Sequence, residues 1–141
     1  MVEIISPFLG LVGVIVGGLI SYKVQAEHQK KVEVSKDNRS KHIAYNQFLL
    51  NEGESSPLER PMHHNQPKAF DPERYKVQRE LLYNNLHLMD KRIIHNVLKI
   101  DMVSKRAEVM GPEQSDTDEA FDCYTQLKDI IIADYEKDLK N

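Results

Sequence analysis

The sequence predicts an all-α protein: an N-terminal transmembrane helix continuing into a stalk, then a small antiparallel helical bundle. Three observations carry that prediction. The apolar run from Ile4 to Ile20 holds no charge, no Gly or Pro interrupts the chain from Tyr22 to Glu52, and later apolar residues recur at helical rather than alternating spacing. The expected organisation is an anchor at 1–22, a charged helical stalk at 23–42 and a bundle at 43–141, with a proline-rich loop at 52–71.

The apolar run is at the short end of what crosses a hydrocarbon core of about 30 Å, and Ser21 and Tyr22 bring it to an adequate length. Ser6 is the expected N-cap. Pro7 then suits the first turn, where its missing N–H would have had no partner. Gly10, Gly13, Gly17 and Ser21 fall on one helical face, where small residues permit close contact with another helix. Glycine is also common in membrane helices that associate with nothing, so the stripe fits a packing face or an ordinary anchor. Tyr22 and Lys23 mark the membrane interface.

A cleaved signal peptide is the rival reading, since Val24-Gln25-Ala26 satisfies the small-residue rule for a cleavage site. Its positive n-region is missing: the chain starts Met-Val-Glu. A retained anchor is therefore expected. Glu3 precedes the run and Lys23, Lys30, Lys31, Lys36, Arg39 and Lys41 follow it, so the positive-inside rule puts the N-terminus outside an inner or plasma membrane. The remainder is expected in the cytoplasm. A single cysteine, Cys123, permits no intramolecular disulfide and agrees with a reducing compartment.

With 141 residues, 40% hydrophobic and 29% charged, the chain beyond the anchor suffices for one modest bundle. A net charge of −3 argues against a nucleic-acid partner, which would need a concentrated basic face. The charge is graded: basic residues lead next to the anchor, and acids dominate from Glu113 onward, away from an anionic leaflet.

Past the anchor, Ala26 to His42 is poor in apolar residues and reads as a solvated stalk. A helix from Pro7 to Glu52 would be roughly 70 Å long. Core composition returns at Ile43, Ala44, Tyr45, Phe48, Leu49 and Leu50. Gly53, Pro57, Pro61 and Pro67 then predict an exposed loop, long enough to be functional or disordered. Asp71-Pro72-Glu73 supplies an N-cap and an N1 proline for a helix through Met89, with Tyr75, Leu82 and Met89 at heptad spacing and Leu81, Leu86 and Leu88 widening its face.

Asp90 is a candidate cap for a further helix with Ile93, Ile94, Val97, Leu98, Ile100, Met102 and Val103 inward, ending at Gly111-Pro112. Sequence alone leaves open whether 72–110 is one helix or two. Ser115 and Asp118 resemble a capping box, and Phe121, Tyr124, Leu127, Ile131, Tyr135 and Leu139 form the stripe of a last helix. The only strand-like run, Ile130-Ile131-Ile132, is drawn into that helix by its periodic neighbours. The expected bundle core is Ala44, Tyr45, Phe48, Leu82, Met89, Ile131 and Tyr135.

This pattern resembles a group of uncharacterised bacterial single-pass membrane proteins. They follow an anchor and charged helix with an Ala-Tyr-x-x-Phe-Leu block, matched here by Ala44-Tyr45-Asn46-Gln47-Phe48-Leu49. They continue with a leucine-rich helix and a break, matched by Glu80-Leu81-Leu82 through Leu88-Met89-Asp90, and end on an acidic-Leu pair, matched by Asp138-Leu139. The loop at 52–71 departs from their compact connection. The resemblance implies an architecture and a bacterial source, and no catalytic residue transfers with it.

Chemistry is sparse. His63-His64 in the loop has no converging ligands at metal spacing, and neither His-Glu-x-x-His nor Cys-x-x-Cys occurs. Cys123 lies between Asp122 and Tyr124 in an acidic stretch, which raises a thiol pKa and favours a small core residue over a nucleophile. Asp116, Asp118 and Glu119 suit a helix start, whose dipole they complement. With no phosphate loop, nucleophile elbow or dinucleotide fingerprint, the sequence predicts no enzyme, cofactor or metal site.

The stripes at Tyr75/Leu82/Met89 and Tyr124/Ile131/Tyr135 read most simply as core, with a groove for a partner helix as the functional counterpart. The expected function is a membrane-anchored interaction or scaffold protein. Its partners would be the lipid bilayer and either another protein or a second copy of itself. The alternative is a membrane-active effector or pore component, of the phage-lysis or defence type, oligomerising through Gly10, Gly13 and Gly17.

Overall fold

The computed structural model describes residues 2–59 and 65–140, with side chains from residue 10 onward. It is all-α apart from one short strand pair. The order is α1 (Val2–Ser55), β1 (Leu58–Glu59), β2 (Ala69–Phe70), α2 (Pro72–Asn84), a 3-10 turn (Leu86–Leu88), α3 (Lys91–Met110) and α4 (Gln114–Leu139). The chain divides into two compact units, Met1–Asn38 and Arg39–Asn141.

Helix α1 departs from expectation at both ends. It begins at Val2, so Ser6 does not cap it and Pro7 falls in its second turn. The fixed φ of proline is already helical, and the loss is the single bond its nitrogen would have given to the Glu3 carbonyl. At the other end the helix runs through Gly53 to Ser55. A glycine costs an exposed helix only about 1 kcal/mol. The Glu52 carboxylate offsets that by holding the last turn, accepting from the Ser56 hydroxyl at 2.7 Å.

In the second unit, cross-helix ion pairs and one hydrogen bond trace the helix directions. Arg106 with Asp116, Lys99 with Glu119 and Arg92 with Asp134 run α3 and α4 antiparallel. Lys41 with Asp138, Tyr45 with Asp134 and Lys128 with Glu52 do the same for α1 and α4. Their shared interior holds Ala44, Tyr45, Phe48, Tyr75, Leu82, Met89, Ile93, Val97, Ile100, Cys123, Tyr124, Leu127 and Ile131.

The described residues of the loop expected at 52–71 join the core. The Asp71 amide donates to the Pro57 carbonyl at 2.8 Å, and Leu58 pairs with Phe70 and Glu59 with Ala69 in an antiparallel ladder. Pro57 is buried, while Leu58 and Phe70 pack on the core. Local sequence gives no hint of two-residue strands, because their pairing depends on the fold bringing their ends together.

Helix α2 starts as expected, with the Asp71 carboxylate accepting from the Glu73 and Arg74 amides at 2.9 and 3.3 Å. It stops at Asn84 rather than Met89, so 72–110 is two helices. The Asn85 side chain donates to the Leu81 carbonyl at 2.8 Å, and Asp90 caps α3 through the Arg92 amide at 2.8 Å. Met89 is extended yet still buried.

Five expected core positions prove exposed: Ile43 and Leu50 on α1, Leu98 (51%) and Met102 (57%) on α3, and Leu139 (68%) on α4. Ile93, Val97, Ile100 and Val103 complete one face of α3, and Leu98 and Met102 lie off it. Tyr135 is half-buried at the core margin, its ring edge-on to His42 at 6.0 Å. The cap of α4 is also shifted, to a box formed by Glu113 and Asp116 instead of Ser115 and Asp118. Asp116 is better placed because it is buried and grips Arg106 Nε at 2.7 Å.

Candidate functional site

Two regions bear on function, and the first is the N-terminal helix. Gly10, Gly13 and Gly17 face open space: a methyl group added at any of them meets nothing within 4 Å. Ser21, Tyr22 and Lys23 are exposed as well. Around the same helix Leu11 is 59% exposed and Val14 74%, and Ile15, Leu19 and Ile20 are also uncovered. Apolar groups point outward on all sides, uncovered by the described residues.

Among the described residues no helix is long and apolar enough to cross a membrane. The described side chains begin at Gly10, and Lys23 closes the apolar stretch that follows. Ile4, Ile5, Phe8 and Leu9, which complete the Ile4–Ile20 run, have side chains outside the described set.

The second region is a polar centre that ties α1, α2 and α4 together. The Tyr124 hydroxyl donates to Glu52 Oε2 at 2.5 Å, and Lys128 Nζ lies 3.4 Å from Glu52 Oε1. Gln78, fully buried on α2, donates to the Phe48 carbonyl at 2.9 Å and to the Tyr124 oxygen at 3.4 Å. Asn51 donates to Gln78 Oε1 at 3.4 Å. Burial first, and the bond to Glu52 second, push the Tyr124 phenol far above its ordinary range, so it remains a donor.

The aromatic rings of Phe48, Phe70, Tyr75 and Tyr124 stack around this centre at 5.5 to 6.0 Å. Tyr75 differs from the others. Its hydroxyl is the one buried side-chain polar atom among the described residues that has no hydrogen-bond partner. Such an orphan costs about 1–3 kcal/mol.

Sequence reading placed Tyr75 and Tyr124 on apolar stripes but missed the network of Glu52, Gln78, Asn51 and Lys128. A signal existed in Gln78, which interrupts the Tyr75–Leu82 stripe at a helical inward position. A polar residue in that register is buried and must find partners.

Cys123 is buried, and burial raises its thiol pKa, which disfavours nucleophilic use. Among the described residues no group of three or more His, Cys, Asp or Glu side chains is arranged to hold a metal ion. His63 and His64 lie outside the described residues. No family model, curated protein or solved structure matches this chain.

Proposed function

We propose that this protein is a non-enzymatic, single-pass membrane scaffold that presents a cytoplasmic helical bundle to a protein partner or to a second copy of itself. One observation carries the reading. The charge-free run Ile4–Ile20 lies within helix α1, and its described side chains, Leu11 to Ile20, are left uncovered by the chain. A helix apolar on every side is stable only when its surroundings are apolar too, and lipid supplies them.

The basic residues from Lys23 to Lys41 favour an N-outside orientation in an inner or plasma membrane. Resemblance to bacterial single-pass proteins through Ala44–Leu49 points the same way. The uncovered glycine face suits close approach of a second helix, and anchoring raises the effective concentration of the bundle so that modest contacts suffice.

The test is alkaline carbonate extraction of membranes from cells expressing the full chain, followed by crosslinking. The protein should stay in the pellet, and protease added outside sealed cells should spare the bundle. Release by carbonate would overturn the anchor. Changing Gly13 and Gly17 together to Ile should abolish a crosslinked oligomer that assembles through the anchor. A partner retained by that variant would assign the contact to the bundle instead.

A further inference from the structure

Two neighbouring helices each carry an outer face that the described residues leave uncovered, and the two faces differ in charge. On α3, Lys91, His95, Leu98, Met102, Lys105 and Val109 follow at steps of 4, 3, 4, 3 and 4; all six are exposed and none is acidic. On α4, Asp122, Thr125, Asp129, Ile132, Glu136 and Leu139 follow at steps of 3, 4, 3, 4 and 3, and none is basic. Stripes with this alternation run along a partner helix crossed at about 20°, as in helical bundles.

Ion pairs inside the chain fix the relative heights of the two faces. Arg92 reaches Asp134, Lys99 reaches Glu119 and Arg106 reaches Asp116, so α3 starts level with the C-terminal part of α4 and ends level with its first turns. Lys91, one residue before Arg92, therefore stands level with the stretch from Asp129 to Glu136. Lys91, Asp129 and Glu136 are exposed and form no ion pair among the described residues. Lys105 already acts on Asp101, and Asp122 is held by Lys68 at 2.7 Å. The open complement is thus Lys91 against Asp129 and Glu136.

We propose that a second copy of this chain packs its α3–α4 layer on this one, α3 against α4 and α4 against α3, about a two-fold axis parallel to the helices. Such an axis keeps every residue at its height and sets each helix opposite the other type. Lys91 then meets Asp129 and Glu136 of the second copy, Leu98 is carried over Thr125, and each contact occurs twice. The complement of the basic face lies on the molecule itself, so a symmetric pair satisfies both faces at once, whereas a foreign acidic helix would leave one of them open. The inference rests on the scaffold reading for its premise that the bundle makes protein contacts, and it names the partner and the face.

Crosslinking of the full chain reads the register. Two differently tagged copies are coexpressed, both with Cys123→Ala, Gly13→Ile and Gly17→Ile, so that neither the native thiol nor the anchor face contributes. One carries His95→Cys and the other Gln126→Cys, an exposed position on α4 beside the acidic stripe. A short bismaleimide should join the two tags at least about tenfold above a control in which Val77→Cys, exposed on α2, replaces His95→Cys. The reaction is run on whichever fraction, membrane or soluble, carbonate extraction assigns to the protein. Failure of the anchor and failure of this interface are therefore separate outcomes.

Lys91→Glu should lower that yield about tenfold or more, and adding Asp129→Lys and Glu136→Lys to the same chain should restore it. All three changes are on exposed side chains and leave the buried core untouched, and circular dichroism melts check the fold. Crosslinking at the control level, a yield that Lys91→Glu leaves unchanged, or a loss that the exchanged charges do not restore would overturn the pairing. Capture of a different protein by His95→Cys in place of the second copy would also overturn it, and would assign the basic face to a foreign acidic helix.

Discussion

Residues 10–20 and residues 44–50 belong to the same helix and are both rich in apolar side chains, yet they treat those side chains in opposite ways. In the first stretch Leu11, Val14, Leu19 and their neighbours are all exposed. In the second, Ala44, Tyr45 and Phe48 are buried while Ile43 and Leu50 remain outside. The second stretch is amphipathic and finds its cover inside the chain. The first is apolar on every side, and no single helix face could satisfy it. Apolar content alone therefore does not make a core; the distribution around the helix decides whether the cover comes from the chain or from its surroundings.

The largest test of that contrast is truncation on each side of it. Phe48→Ala should destabilise the bundle by about 3–5 kcal/mol, because a fully buried ring leaves a cavity beside Tyr124. Leu19→Ala should leave the same transition unmoved. With no tryptophan in the chain, tyrosine near-UV circular dichroism follows both. A large loss on changing Leu19 would mean that the N-terminal helix finds cover within the protein.

A middle-sized effect should come from Tyr124→Phe, which strips Glu52 and Gln78 of a shared partner and should cost about 1–3 kcal/mol near neutral pH. It should also flatten the alkaline limb of the stability curve. Burial raises the phenols of Tyr45, Tyr75 and Tyr124 above the ordinary value of about 10. The unfolded chain therefore loses those protons first. Stability is fully present below that pH and declines as pH rises above it, less steeply in the variant. Denaturant melts at several alkaline pH values check this.

The smallest effect belongs to the surface. Lys76→Met removes an exposed pair with Glu73 at 2.8 Å and should leave the melting midpoint within error, since such pairs contribute little. A marked loss would show α2 to depend on its own surface rather than on the buried Tyr75, Gln78 and Leu82.

Much of the fold was legible where the determining interactions are local. Asp71-Pro72 and Asp90 announced two helix starts, and Gly111 ends α3 with φ of 86°, a conformation that favours glycine. Ala44, Tyr45, Phe48, Leu82, Met89 and Ile131 were assigned inward from periodicity and are buried. The misreadings arose where several residues compete for one role. Glu113 displaced Ser115 as the cap because its box partner Asp116 is also bound by Arg106, a residue on another helix. Leu98 and Met102 share the apolar character of their neighbours, and only the position of α4 decides which face of α3 is covered.

The sequence by itself determined the helical class, the sites of three helix boundaries and the uneven placement of charge and apolar residues, because capping, proline and periodicity act within a few residues. Tertiary structure alone decided the Glu52–Tyr124 contact, the Leu58–Phe70 pairing and the burial of the Tyr75 hydroxyl without a partner. Each depends on groups distant in the chain meeting at hydrogen-bond or van der Waals range, and no local preference encodes that distance.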